Sequence, residues 1–87
     1  MRQCKYIVID GIMAVIFSDL MTHRDVAHSL MRRDQEVTGA GFVCIDSSDN
    51  QINVGVYGRS ESLDIDNNGA DDVRAIKRAL GMWNEGL

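Results

Sequence analysis

The stretch that decides the fold is Tyr6-Ile-Val-Ile-Asp-Gly-Ile-Met-Ala-Val-Ile-Phe17. It is a continuous apolar run interrupted only by Asp10-Gly11, a dipeptide that favours the two positive φ angles of a type I′ turn. The β-branched residues on both sides of this dipeptide favour strands over a helix. The stretch therefore predicts a hairpin with strands at about residues 4–10 and 12–17. Because both faces of this hairpin are apolar, each face needs a cover.

A helix is predicted to follow, from about His23 to Met31. Thr22 can cap its first turn, with Asp25 three residues further on. His23 is expected on the exposed side of that turn. The apolar positions of the helix recur at a spacing that gives one buried stripe, which comprises Val26, Ala27, Leu30 and Met31.

The second half of the chain has the same order of elements. Strands are predicted at residues 42–46 and 51–57, joined by a turn at 47–50, and a loop at 58–68 leads to a helix at about 69–80. Asn68 is the expected cap of this helix. Its predicted buried stripe comprises Ala70, Val73, Ile76, Ala79 and Leu80.

These elements predict an α+β fold of order ββαββα, a four-stranded antiparallel sheet with two packed helices. Residues 1–87 are expected to form a single domain, with a first ββα unit at 4–31 and a second at 42–81. We expect both helices on one face of the sheet, with one helix on each face as the alternative. The first arrangement leaves apolar surface on the hairpin of residues 4–17, so it predicts a homodimer with an interface at Met13, Val15 and Phe17.

Composition narrows the class of partner. The 87 residues carry nine basic and thirteen acidic side chains, a net charge of −4, which argues against binding to duplex nucleic acid. No apolar run has the length of a membrane span, so no membrane partner is expected. Two cysteines are too few for a disulfide scaffold and suit a cytoplasmic location. No cofactor is predicted.

The acidic segment before the last helix resembles the start of an EF-hand calcium loop. Its candidate ligands are Asp64, Asp66, Asn68 and Asp72. However, Ala75 occupies the position where such a loop has a bidentate Glu. An acidic loop whose carboxylates favour the start of the helix is therefore the preferred interpretation.

Two other segments suggest anion binding. The start of the first helix, at Thr22, His23 and Arg24, combines backbone amides with a cation and is a candidate site for a small phosphate-bearing ligand. Thr38-Gly39-Ala40-Gly41 is rich in glycine but precedes a strand, so a turn or β-bulge is expected there instead. Ser60 and Ser62 have no neighbouring base in the sequence, which argues against a hydrolase serine.

The segments Tyr6-Ile-Val-Ile-Asp-Gly, Val15-Ile-Phe-Ser-Asp-Leu-Met-Thr-His23 and Val56-Tyr-Gly-Arg-Ser-Glu-Ser-Leu63 resemble small proteins encoded by tailed phages and prophages. The resemblance implies a bacterial host cytoplasm and an accessory protein that engages or sequesters a host component, and it brings no catalytic residues. The leading hypothesis is therefore a non-enzymatic interaction protein. A protein that binds a small anion or calcium is the alternative, and an enzyme ranks last because no nucleophile, base and orienting group occur together.

Overall fold

A computed structural model describes residues 2–48 and 51–81. It confirms an α+β fold, in which four long strands form one antiparallel sheet of order β2-β1-β3-β4. The strands are β1 Arg2–Ile9, β2 Met13–Phe17, β3 Val37–Ser48, β4 Gln51–Tyr57, β5 Arg59–Ser60 and β6 Ile65–Asp66, and the helices are α1 His23–Leu30 and α2 Gly69–Ala79. The short strands β5 and β6 pair with each other inside the predicted loop, where no strand was expected.

The predicted hairpin turn is confirmed. Asp10 and Gly11 have φ angles of 54° and 70°, and the Ile12 amide donates a hydrogen bond of 3.1 Å to the carbonyl of Ile9. These are the features of the type I′ turn that the Asp-Gly dipeptide favours. The sharp reversal places β2 beside β1 along most of its length.

The glycine-rich segment contains a β-bulge at Thr38. Val8 pairs with Gly39 and Ile9 with Val37, so Thr38 is the extra residue in β3. Its hydroxyl accepts a hydrogen bond from the Gly11 amide at 2.8 Å and donates one to the Val8 carbonyl at 3.3 Å. The bulge therefore holds the hairpin turn against β3, which begins at Val37, earlier than predicted.

The expectation that both helices share one face of the sheet is wrong. Tyr6 and Val8 of β1 pack with α2, whereas Ile7 and Ile9 pack with α1. Since alternate residues of a strand point to opposite faces, the helices lie on opposite sides of the sheet. The physical reason is that β1, an inner strand, is apolar on both faces and needs a cover on each. The two helices supply that cover, so the apolar excess from which the homodimer was predicted is largely buried within the chain.

A buried hydrogen bond joins the first strand to the last helix. Asp72 is 1% exposed, and its Oδ2 accepts hydrogen bonds from the Tyr6 hydroxyl at 2.5 Å and from the Asn68 amide at 2.7 Å. Asn68 precedes the helix as predicted, but its side chain makes no capping bond, and the Asp72 carboxylate does so instead. Burial beside this carboxylate raises the pKa of Tyr6.

The predicted buried stripes of the two helices are confirmed only in part. In α2, Ile76 is buried as expected, but Asp72 and Ala75 accompany it, while Ala70 and Ala79 are exposed. In α1, Val26 and Ala27 are buried, and Leu30 is exposed. In the described part of the chain, neither helix has the length and apolar character needed to cross a membrane.

Candidate functional site

Four side chains form a row across the sheet on the face that α1 covers. The strand register pairs Lys5 with Phe17 on one side and with Phe42 on the other, and Phe42 with Tyr57. Phe42 and Tyr57 are stacked, with ring centroids 5.5 Å apart. Lys5 is thus a cation inside an otherwise aromatic row.

His23, the first residue of α1, occupies the gap above Lys5 in this row. Its ring meets Phe17 and Phe42 edge to face, at centroid distances of 5.4 and 6.0 Å. It is 4% exposed, so the prediction of an exposed His23 is wrong. The Thr22 hydroxyl accepts a hydrogen bond from the Asp25 amide at 3.1 Å, and this confirmed cap starts α1 at the position that directs His23 inward.

His23 is held in one tautomer. Its Nε2 lies 2.9 Å from the Gly41 carbonyl oxygen, which can only accept, so Nε2 carries the proton. Burial lowers the pKa of His23, the bond to Gly41 opposes this, and the positive charge of Lys5 lowers the pKa further. The imidazole is therefore neutral at pH 7, with Nδ1 as an acceptor.

A cleft of about 480 Å³ opens beside His23, between the start of α1 and the segment that follows β4. This volume falls within the usual range for small-molecule sites, roughly 300–1,000 Å³. The sheet and helix contribute Lys5, Thr22, His23 and Phe42, and the segment after β4 contributes Gly58, Arg59, Glu61 and Ser62.

The two cations of the cleft differ in their partners. The Arg59 guanidinium is held by Asp64 and Asp66 at 2.5 and 2.8 Å, and these bonds raise its pKa. The Lys5 ammonium instead donates to the carbonyl of Met21 at 3.0 Å. None of the ion pairs within residues 2–48 and 51–81 includes Lys5. Of these two cations, Lys5 is therefore the one whose charge is available to an anionic ligand.

Ser62 lies in the same cleft as His23, although no base precedes or follows it closely in the sequence. Its hydroxyl accepts a hydrogen bond from the Arg24 amide at 3.2 Å and lies 3.4 Å from the Ser60 hydroxyl. Among the described residues, no hydrogen bond joins Ser62 to His23. The arrangement supplies polar groups for binding but not the nucleophile-base contact of a serine hydrolase.

The structure brings together part of the predicted anion site. Thr22 and His23 line the cleft, whereas Arg24 contributes its backbone amide to Ser62 and its side chain is exposed. Sequence reasoning missed Lys5 and Phe42. A usable signal was present, because Lys5 is a single cation on the strand face that it shares with Ile7 and Ile9.

The four candidate calcium ligands make different contacts in the structure. Asp64 and Asp66 bind Arg59. Asp72 is buried against Tyr6, and Asn68 is exposed at the start of α2. Across the described ranges, no group of three or more histidine, cysteine or acidic side chains is arranged to hold a metal ion.

The predicted interface residues lie on β2, an edge strand of the sheet. Met13 is 49% exposed, but Val15 and Phe17 are half-buried and pack against the cluster beneath α1. Exposed apolar side chains also flank the strand, Ile12 before it and Leu20 and Met21 after it.

Comparisons of the chain with protein-family models, curated proteins and solved structures found no match.

Proposed function

We propose that this chain is a non-enzymatic interaction protein that forms a homodimer by pairing β2 with the same strand of a second copy. The observation that carries the proposal is the composition of this edge. Met13-Ala-Val-Ile-Phe17 has no charged residue and no proline, the two devices that most often protect an edge strand from pairing.

The surroundings of β2 favour it over the other edge. Ile12, Met13, Leu20 and Met21 are half of the large apolar side chains that are well exposed in the described part of the chain, and all four lie within residues 12–21. The other edge, β4, also has no charged residue and no proline, but it carries Asn53 and an interior Gly55, which weaken strand pairing. Contact between two β2 strands would cover both the open backbone groups and these side chains.

Symmetry and charge also support a second copy as the partner. Antiparallel pairing of one strand with itself is two-fold symmetric, which is the commonest geometry of homodimers. Each chain has a net charge of −4, so two copies repel over most of their surface. An uncharged edge is the place where this repulsion is weakest.

The proposed interface differs from the one predicted from the sequence. The side chains of Val15 and Phe17 already pack under α1, so they take no part in the proposed interface. Met13 contributes its side chain, together with Ile12, Leu20 and Met21.

Light scattering coupled to size-exclusion chromatography tests the dimer. We expect the mass of two chains for the wild type and of one chain for Met13→Lys, since a charge at the edge opposes pairing. Ile52→Lys is the matched control, because Ile52 is 41% exposed on the opposite edge strand. A monomeric wild type at high concentration, or dissociation by Ile52→Lys alone, would contradict the proposal.

The resemblance to small phage and prophage proteins supports a second element of the proposal. The chain acts in the cytoplasm of a bacterial host and engages or sequesters a host component. Affinity purification from such a host, with mass spectrometry of the proteins retained by the wild type and by Met13→Lys, tests this element. Retention of no specific host protein by either form would contradict it.

A further inference from the structure

We propose that the cleft beside His23 is a binding site for a small organic anion with an aromatic body, such as an aryl phosphate or an aromatic carboxylate. This proposal is independent of the dimer, since it depends on residues of α1, the inner strands and the segment after β4. It goes beyond the predicted anion site, of which only Thr22 and His23 line the cleft.

The anionic group is assigned to Lys5. Lys5 lines the cleft, and its ammonium forms its hydrogen bond with a neutral carbonyl. No carboxylate is paired with this cation in the described part of the chain, so an anion that reaches it gains a charge-assisted hydrogen bond. The acidic groups nearby oppose this less than their number suggests, because Arg59 offsets one of the two charges of Asp64 and Asp66.

The apolar body of the ligand is assigned to the wall formed by Phe42 and His23. Gly58 has a φ of +71°, and a Cβ at this position would lie 3.0 Å from the Phe42 ring, so the absence of a side chain lets the chain pass close to that ring. Lysine, aromatic and hydroxyl groups thus converge on one concave surface. Such a combination of an apolar wall with a few polar groups is typical of small-molecule sites.

His23 adds a hydrogen-bond acceptor, Nδ1, for a donor group on the ligand. Its Nε2 proton is committed to Gly41, and Nδ1 makes no hydrogen bond within the described residues. In the same part of the chain, no fully buried side-chain nitrogen or oxygen lacks a partner, so Nδ1 keeps some access to solvent. A ligand with a hydroxyl or a protonated phosphate oxygen can donate to it.

Three probes separate the contributions of the aromatic ring and of the anionic group to binding. Phenyl phosphate carries both the ring and the anion, inorganic phosphate carries the anion alone, and phenol carries the ring alone. Amide chemical shifts recorded by NMR during each titration report both affinity and location. We expect phenyl phosphate to bind most tightly and to shift the amides of Lys5, His23, Phe42 and Ser62. Equal affinity for phenol would overturn the assignment of the anion, and equal affinity for inorganic phosphate would overturn that of the aromatic body.

Charge variants test the role of Lys5. Lys5→Met is expected to weaken phenyl phosphate binding by about tenfold or more, the usual worth of a hydrogen bond to a charged group. Lys77→Met makes the same chemical change on α2, across the sheet, and should leave the affinity unchanged. Equal losses in the two variants would overturn the site.

A third variant keeps the proposal testable if Lys5→Met does not fold. Glu61 is exposed and lines the cleft, so Glu61→Gln removes a repulsive charge without a packing change. We expect it to strengthen phenyl phosphate binding by about two- to fivefold. Weaker binding by Glu61→Gln would count against an anionic ligand.

Discussion

The Tyr6 hydroxyl lies 2.5 Å from Oδ2 of Asp72, and these two residues, 66 positions apart in the chain, are 0% and 1% exposed. The bond ties the inner strand β1 to α2 and gives a buried carboxylate one of its two donors. Because a buried charge without donors is costly, this pair does more than a surface ion pair to fix the position of the helix.

Tyr6→Phe should therefore destabilise the protein by about 1.5–3 kcal/mol, the range for hydrogen bonds to charged groups. Urea unfolding followed by circular dichroism measures this loss. Tyr57→Phe removes the same hydroxyl from a 42% exposed ring and should change the free energy of unfolding by less than about 0.5 kcal/mol. Similar losses of unfolding free energy in both variants would show that the bond to Asp72 does not stabilise the fold more than an exposed hydroxyl does.

Gly39 and Gly55 give opposite expectations for the same substitution. A Cβ at Gly39 would lie 2.6 Å from the carboxyl carbon of Asp72 and closer still to its oxygens, whereas a Cβ at Gly55 would meet nothing within 4 Å. Gly39→Ala should cost about 1–3 kcal/mol through overpacking. Gly55→Ala should be neutral or stabilising by up to about 1 kcal/mol, because alanine orders the strand at a smaller entropic cost. Thermal unfolding of the two variants tests the pair, and a Gly39→Ala protein as stable as wild type would contradict the packing described for Asp72.

His23 should make the fold sensitive to mild acid. Its pKa is lowered in the folded state, so between that pKa and the ordinary value of about 6.5 the unfolded chain binds more protons. The stability from neutral His23 is fully present above the unfolded pKa and is lost as the pH falls toward the folded pKa. Melting temperatures should decline as the pH falls below about 7.

The matched variants for this pH dependence lie on one helix. His23→Gln should flatten the slope, while His28→Gln, at an exposed position of α1, should keep it. A slope that disappears in His28→Gln instead would mean that the buried imidazole is not its source.

Calcium should not stabilise the protein. Asp64 and Asp66 are engaged by Arg59, and Asp72 is enclosed behind Tyr6, so the four candidate oxygens do not converge on one ion. Specific binding would raise the free energy of unfolding by about 2 kcal/mol or more at a hundredfold excess over the dissociation constant. A melting shift of that size in calcium, abolished by Asp64→Ala, would show that the loop rearranges to form a site.

Local signals predicted the local structure well. The Asp10-Gly11 turn, the Thr22 cap and the bounds of β4 each depend on residues close together in the sequence, and all three agree with the structure. The face of the sheet on which each helix packs could not be predicted from such local signals. That choice depends on which strand is inner, and only the pairing of β1 with β3 decides it.

The candidate site was harder to predict for the same reason. Its lining comes from β1, α1, β3 and the segment after β4, which the sheet order brings together. Thr22 and His23 were found because they start a helix. The sequence neighbours of Ser62 do not include His23, the histidine that shares its cleft.

The opposite placement of the helices sets an order of events during synthesis on the ribosome. Once residues up to about 48 have emerged, the hairpin of β1 and β2 can pair with β3 and bury one face under α1. Its other face stays open until α2, residues 69–79, has been made. Transiently exposed apolar strands favour association between unfinished chains. The same β2 edge that we assign to the dimer could therefore find a neighbouring nascent chain before its own sheet is fully covered, and the rate of translation past residue 48 would set how long that exposure lasts.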